Sequence, residues 1–153
     1  MVKRKKSYIK KINQLDTLSV HAGVKTDPLT GAVMTPIYAT STYAHDRPGE
    51  HKGYEYSRSQ NPTREVLENS IAELESGYKA FAFASGVAAQ TAVLDLLKPG
   101  DHVIAFDDLY GGTFRLFNEI KSKSSNIEFT FVDLNTNFSK EIKKNTKMIW
   151  IET

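Results

Sequence analysis

Apolar positions along the chain fall into two regimes, irregular before residue 61 and periodic after it. Asn61-Pro62 opens a helical pattern, with Asn placed to cap and Pro at the first helical position. Leu67, Ile71 and Leu74 follow at i, i+4 and i+7, and Ser76-Gly77 closes the segment. Ala80 to Ala84 alternates Phe81 and Phe83 with alanines, which predicts a short buried strand. Val87, Leu94 and Leu97 then return to helical spacing, with Ala88, Ala89 and Ala92 small enough for close contact with a sheet. After the turn Lys98-Pro99-Gly100-Asp101, the spacing predicts a strand over 102–106, a helix carrying Phe114, Leu116, Phe117 and Ile120, and a strand over 127–132. A short helix over 138–144 and a strand over 147–152 follow. Strands alternating with helices in this way predict parallel βαβ units with right-handed crossovers. The fold class is therefore α/β, a mostly parallel sheet with flanking helices.

Residues 12–60 are different, poor in period and rich in turn signals: Asp27-Pro28, Thr30-Gly31, Thr35-Pro36, Arg47-Pro48-Gly49 and Lys52-Gly53. So long a stretch without clear elements is unusual in a compact domain unless another subunit or domain covers it. Oligomerisation is the expectation, and Tyr38, Tyr43, Tyr54 and Tyr56 are candidate interface anchors or aromatics folded onto their own domain. The chain thus divides into a tail and extended arm over 1–60 and an α/β domain over 61–153. The second reads as incomplete because it stops at a strand end on the ligand-bearing edge.

At 153 residues and 40% hydrophobic, the chain suffices for one domain with a core. It contains no cysteine, which excludes disulfides, Cys-ligated zinc and thiol catalysis. The formal charge of +2 is misleading, since Lys3, Arg4, Lys5, Lys6, Lys10 and Lys11 crowd the first residues. Without those six, 14 basic side chains face 18 acidic ones, a mildly acidic balance of −4. The tail is read as solvated, with neither nucleic acid nor membrane as a partner. No apolar signal-peptide core follows it and no apolar run is long enough to span a bilayer, so the expected location is cytoplasmic.

Candidate chemistry sits where strands end. In parallel α/β sheets, ligands bind beyond the carboxyl ends of the strands, and Ser85-Gly86, Asp107 to Thr113 and Glu152-Thr153 all fall on that edge. Ser85-Gly86 passes directly into a helix, whose first free N–H groups and partial positive charge suit a phosphate; a plain turn is the alternative. Asp107-Asp108 reads as a solvated loop, and Thr113 as a helix cap or a ligand contact. Tyr110, placed before Gly111-Gly112 at a strand end, has little packing reason to be there. His21, His45, His51 and His102 lack metal-ligand spacing and read as structural.

Four stretches taken together carry a resemblance: Tyr56-Ser57-Arg58, Asn61-Pro62-Thr63, Ser85-Gly86-Val87-Ala88-Ala89 and Tyr110-Gly111-Gly112-Thr113. Ser19 to Gly23, Pro36 to Tyr43 and Trp150 to Thr153 extend it over almost the whole chain. The chain resembles the Cys/Met-metabolism family of pyridoxal-phosphate enzymes, which includes cystathionine γ-synthase and cystathionine γ-lyase. The resemblance implies the N-terminal arm and part of the large domain of a fold-type I, aspartate-aminotransferase-like enzyme. It implies pyridoxal 5'-phosphate as cofactor, with the phosphate on the amides of Gly86 and Val87. Tyr110 would stack on the cofactor ring and serve in proton transfer as the catalytic residue. Tyr56 and Arg58 would reach the cofactor phosphate of a neighbouring subunit, in dimers paired into tetramers. The implied reaction is elimination or replacement at Cγ of a small amino-acid substrate, within transsulfuration.

The family's Schiff-base lysine and the aspartate for the ring nitrogen belong to a region after Thr153, and Lys79, Lys98 and Lys147 read as solvated charges at turns and strand starts. The expectation is a 153-residue product inactive by itself. The alternative is a non-catalytic module that pairs with a full-length relative. A nucleotide-binding domain is disfavoured, because neither G-x-G-x-x-G nor a Walker-type Gly-Lys-Ser/Thr occurs.

Overall fold

The computed structural model describes residues 15–133 and 135–152, so the basic tail falls outside the described residues. The chain forms two compact units, Met1–Ala82 and Phe83–Thr153. Among the described residues, no helix is long and apolar enough to cross a membrane.

In the first unit, helix α1 (Leu15–His21) packs on helix α2 (Pro62–Leu74). The chain leaves α1 through Gly23 at φ +69, and the buried Ala22 beside it offers its carbonyl to Ser70 Oγ at 2.6 Å. The predicted cap is present, since Asn61 Oδ1 accepts from the N–H groups of Thr63 and Arg64. The far end of α2 closes in a Schellman turn: Ser76 adopts φ +53, its N–H donates to Glu73 O, and the Gly77 N–H donates to Ala72 O at 2.7 Å. Ser76, and not the glycine after it, takes the left-handed position. Between the helices the arm holds a turn in which Asp27 Oδ2 accepts from both the N–H and the hydroxyl of Thr30. A short antiparallel ribbon follows, β1 (His45–Arg47) with β2 (Glu50–His51).

The second unit is built on a three-stranded parallel sheet in the order β4 (Glu128–Val132), β3 (His102–Phe106), β5 (Thr146–Trp150). The strand β3 lies in the middle and is buried throughout, as the apolar run HVIAF requires. Its small Ala105 stands between Phe131 and Trp150 in register, which leaves room for large rings on either side. Helix α3 (Gly86–Leu94) and a helical run cover this face. The run consists of α4 (Gly111–Arg115), a π-helical stretch Leu116–Lys121 and α5 (Ser122–Ser124). Phe117 lies fully buried on the sheet. On the opposite face, Ile104, Phe106 and Val132 pack with Phe138.

The predicted strand over 80–84 does not form. No strand among the described residues pairs with it, and Phe81 and Phe83 are 66% and 49% exposed. Alternation prepares a surface for a sheet, but a strand exists only when neighbours take its N–H and C=O groups. The expected helix over 138–144 contracts to a single 3-10 turn, Phe138–Glu141.

At the amino end of the sheet, His102 joins all three strands. Its Nδ1 lies 2.7 Å from Thr146 Oγ1 and its Nε2 lies 2.8 Å from Thr130 Oγ1. Burial holds the imidazole pKa below its ordinary value, and the charge of Lys143 adds to this. The folded state therefore binds fewer protons than the unfolded chain below the unfolded pKa of about 6.5. Stability from neutral His102 is complete above that pH and is lost as the pH falls through it towards the lower folded value. We expect His102→Leu to destabilise by about 1–3 kcal/mol at pH 7.5, because each threonine hydroxyl loses its hydrogen bond to the ring. Urea unfolding at pH 7.5 and pH 5.5 checks this, and a gap between wild type and variant that fails to narrow at the lower pH would refute it.

Candidate functional site

The Ser85-Gly86 turn passes into α3 as expected. Ser85 is extended (φ −156, ψ 160), and its hydroxyl accepts from the Ala88 N–H at 3.1 Å while its carbonyl accepts from Ala89. Among the described residues nothing accepts from the N–H groups of Gly86 and Val87. An added Cβ at Gly86 would meet no atom within 4 Å, so the helix start is open on that side.

Tyr110 caps α4 by position only, at φ −53 and ψ 133 and with no side-chain capping bond. Tyr110 is 67% exposed. The ring lies against Gly112, where an added Cβ would run into ring carbons, so the second glycine of Tyr-Gly-Gly is room for the tyrosine. Thr113 does not cap the helix. It is fully buried, donates to Glu152 Oε1 at 2.7 Å and lies 3.1 Å from Gln90 Oε1.

Glu152, just beyond β5, is the centre of this arrangement. Its Oε2 accepts from the Tyr110 N–H at 2.8 Å, and its Oε1 accepts from Thr113, from Gln90 Nε2 at 3.1 Å and from the Trp150 indole N–H at 3.1 Å. Burial pushes the carboxyl pKa up, but the donors Thr113, Tyr110 and Trp150 outweigh it and hold the group below the usual carboxylate range. Gln90 and Trp150 were missed as site residues in the sequence. Asp107 and Asp108 are exposed in the loop between, and Lys79, Lys98 and Lys147 are exposed as well.

Tyr56 and Arg58 belong to the first unit. Tyr56 forms an isolated bridge with Thr42, its carbonyl accepts from the N–H groups of Ser59 and Gln60, and Arg58 lies 4.8 Å over its ring. The turn is clamped by Arg64, which donates to Ser57 O at 3.0 Å and to Ser59 O at 2.8 Å. Asn61 adds a bond to Ser57 Oγ at 3.0 Å. Tyr54 donates to Glu65, and that bond pushes the phenol pKa up to about 12. Arg64 also escaped the sequence reading; its place one turn into a helix after Asn61-Pro62 is the signal that marks it.

A parallel sheet, free amides at the start of α3 and an exposed tyrosine beyond β3 together make an α/β arrangement suited to an anionic ligand. Residues 16–153 match the family model described as Cys/Met metabolism PLP-dependent enzyme, and the chain belongs to that family. It is 54% identical over 145 residues to the cystathionine β-lyase of Coxiella burnetii, covering 94% of this chain and 38% of that protein. It is 50% identical to the cystathionine γ-lyase of Bacillus subtilis, covering 90% of this chain and 36% of the relative. The solved structure of cystathionine γ-lyase from Lactobacillus plantarum complexed with L-serine is similar, with TM-score 0.82 and 43% identity over 90% of this chain and 36% of that one. The chain thus spans little more than a third of the length of these relatives. The fold is that of part of a fold-type I enzyme, and pyridoxal 5'-phosphate is the cofactor expected of the family. The open Gly86 and Val87 amides fit its phosphate.

Proposed function

We propose that this chain is the phosphate-binding, N-terminal part of a pyridoxal-phosphate enzyme of transsulfuration. The Gly86 and Val87 N–H groups would hold the cofactor phosphate, and Tyr110 would pack against the ring and hold or move a proton at its phenol oxygen. Tyr56 and Arg58 would serve the phosphate of a neighbouring subunit in a homo-oligomer. Support for that last step comes from the clamped Tyr56–Arg58 turn and from Leu29, Val33, Met34 and Ile37, all strongly exposed in the arm. In this reading residues 1–60 are the tail and arm, and 61–153 are part of the cofactor domain. When bound, the cofactor supplies an electron sink for cleavage at Cβ or Cγ of an amino acid, and relatives of both kinds, β-lyases and γ-lyases or synthases, match this chain.

The observation that carries the reading is the pair of amides at Gly86 and Val87 that no group among the described residues accepts from. Equilibrium dialysis of the 153-residue polypeptide with pyridoxal phosphate tests it. Saturable binding, competed by inorganic phosphate, is expected, and binding that never saturates overturns it. No lysine occurs in 85–90, 107–114 or 150–152, the segments that make the described edge. The same polypeptide is therefore expected to cleave cystathionine no faster than free pyridoxal phosphate does, and saturable turnover above that rate would contradict the inactivity.

A further inference from the structure

The backbone of Tyr110 is tied to one carboxylate. Among the described residues, Glu152 is the side chain that accepts from the Tyr110 N–H, and its other oxygen gathers donors from α3, α4 and the end of β5. Three elements distant in sequence therefore meet at two oxygen atoms. All four donors point at acceptor-only oxygens, and an amide there would turn an N–H₂ group against at least one of them. The exposed ring has no hydrogen bond of its own among the described residues and rests on Gly112, so its direction follows from that contact and from the backbone that Glu152 holds.

We infer that Glu152 is a positioning residue for Tyr110, setting the phenol ring against the cofactor while touching neither the cofactor nor the substrate. This rests on the proposed cofactor site. The test is a double-mutant cycle on pyridoxal-phosphate affinity, measured by equilibrium dialysis on the full 153-residue chain. Tyr110→Ala and Glu152→Gln are each expected to weaken binding about tenfold. Together they should weaken it little more than either alone, because a ring already misplaced has little left to lose. Phe138→Leu, on the opposite sheet face, is the control: it lowers the melting temperature, while any loss of affinity adds to that of Tyr110→Ala. If Glu152→Gln fails to fold, Thr113→Val removes one donor from the same carboxylate and enters the cycle in its place.

Fully additive losses for Glu152 and Tyr110, with saturable wild-type binding, overturn the positioning role alone. Wild-type protein that binds no cofactor overturns the functional reading and this inference with it. A direct check of the bond is amide hydrogen exchange at Tyr110, expected to accelerate about tenfold or more in Glu152→Gln. Unchanged exchange there also refutes the inference.

Discussion

Phe117→Ala is expected to destabilise the Phe83–Thr153 unit by about 3–5 kcal/mol, a large share of what a domain this size possesses. The ring is fully buried. It stacks on Phe129 at 4.8 Å between centroids and meets Trp150 edge-on at 5.2 Å, with Leu94, Ala105 and Leu116 closing the cluster. Truncation removes both aromatic contacts and leaves a cavity that Ala105, the smallest residue of the layer, cannot fill. Phe117→Leu keeps most of the volume and should cost less. Trp150 is the single tryptophan, so its emission follows urea unfolding of both variants without added probes. An alanine variant within about 1 kcal/mol of wild type would mean that the cluster does not hold this unit together. The loss reaches the site too, since Trp150 donates to Glu152 and rests on the Phe117 ring.

Gly23→Ala is expected to separate α1 from α2. At φ +69 any other residue carries a penalty of about 1–2 kcal/mol. Here the added Cβ would also stand 2.5 Å from Ser70 N and 2.8 Å from Val66 O, both backbone atoms of α2 that cannot swing away. Overpacking of this kind adds about 1–3 kcal/mol. Gly31 is the natural comparison, because its φ of +71 is nearly the same but an added Cβ meets nothing within 4 Å. Hydrogen exchange over 15–21 and 62–74 should accelerate strongly in Gly23→Ala and hardly at all in Gly31→Ala. Equal behaviour of the two variants would show that the close approach to α2 contributes nothing.

Much of the architecture was legible before any coordinates. The run HVIAF announced a strand over 102–106, and β4 and β5 emerged within one residue or so of their predicted starts. Asn61-Pro62 opened α2 at the expected point because capping is a contact between residues two and three apart. The turn at Ser85-Gly86 and the tyrosine before Gly111-Gly112 could be singled out for similar local reasons. Where the reading failed, the missing information was not local. Ala80 to Ala84 has the alternation of a strand, yet nothing among the described residues pairs with it. Ser76 took the left-handed position expected of a glycine because the Schellman bonds to Glu73 and Ala72 closed around it.

Gln90 and Glu152 are 62 positions apart, and Thr113 and Glu152 are 39 apart; no period or spacing connects them. The same holds for His102, whose two ring nitrogens find hydroxyls 28 and 44 residues away. By itself, then, the sequence determined the α/β class, the Asn61 cap, the strands of the sheet and the family resemblance, because periodicity, capping and motif are properties of neighbouring residues. Only the tertiary structure decided which strand was paired, which histidine became a clamp and which carboxylate holds Tyr110. Those outcomes depend on hydrogen bonds between segments that meet only after the sheet has closed.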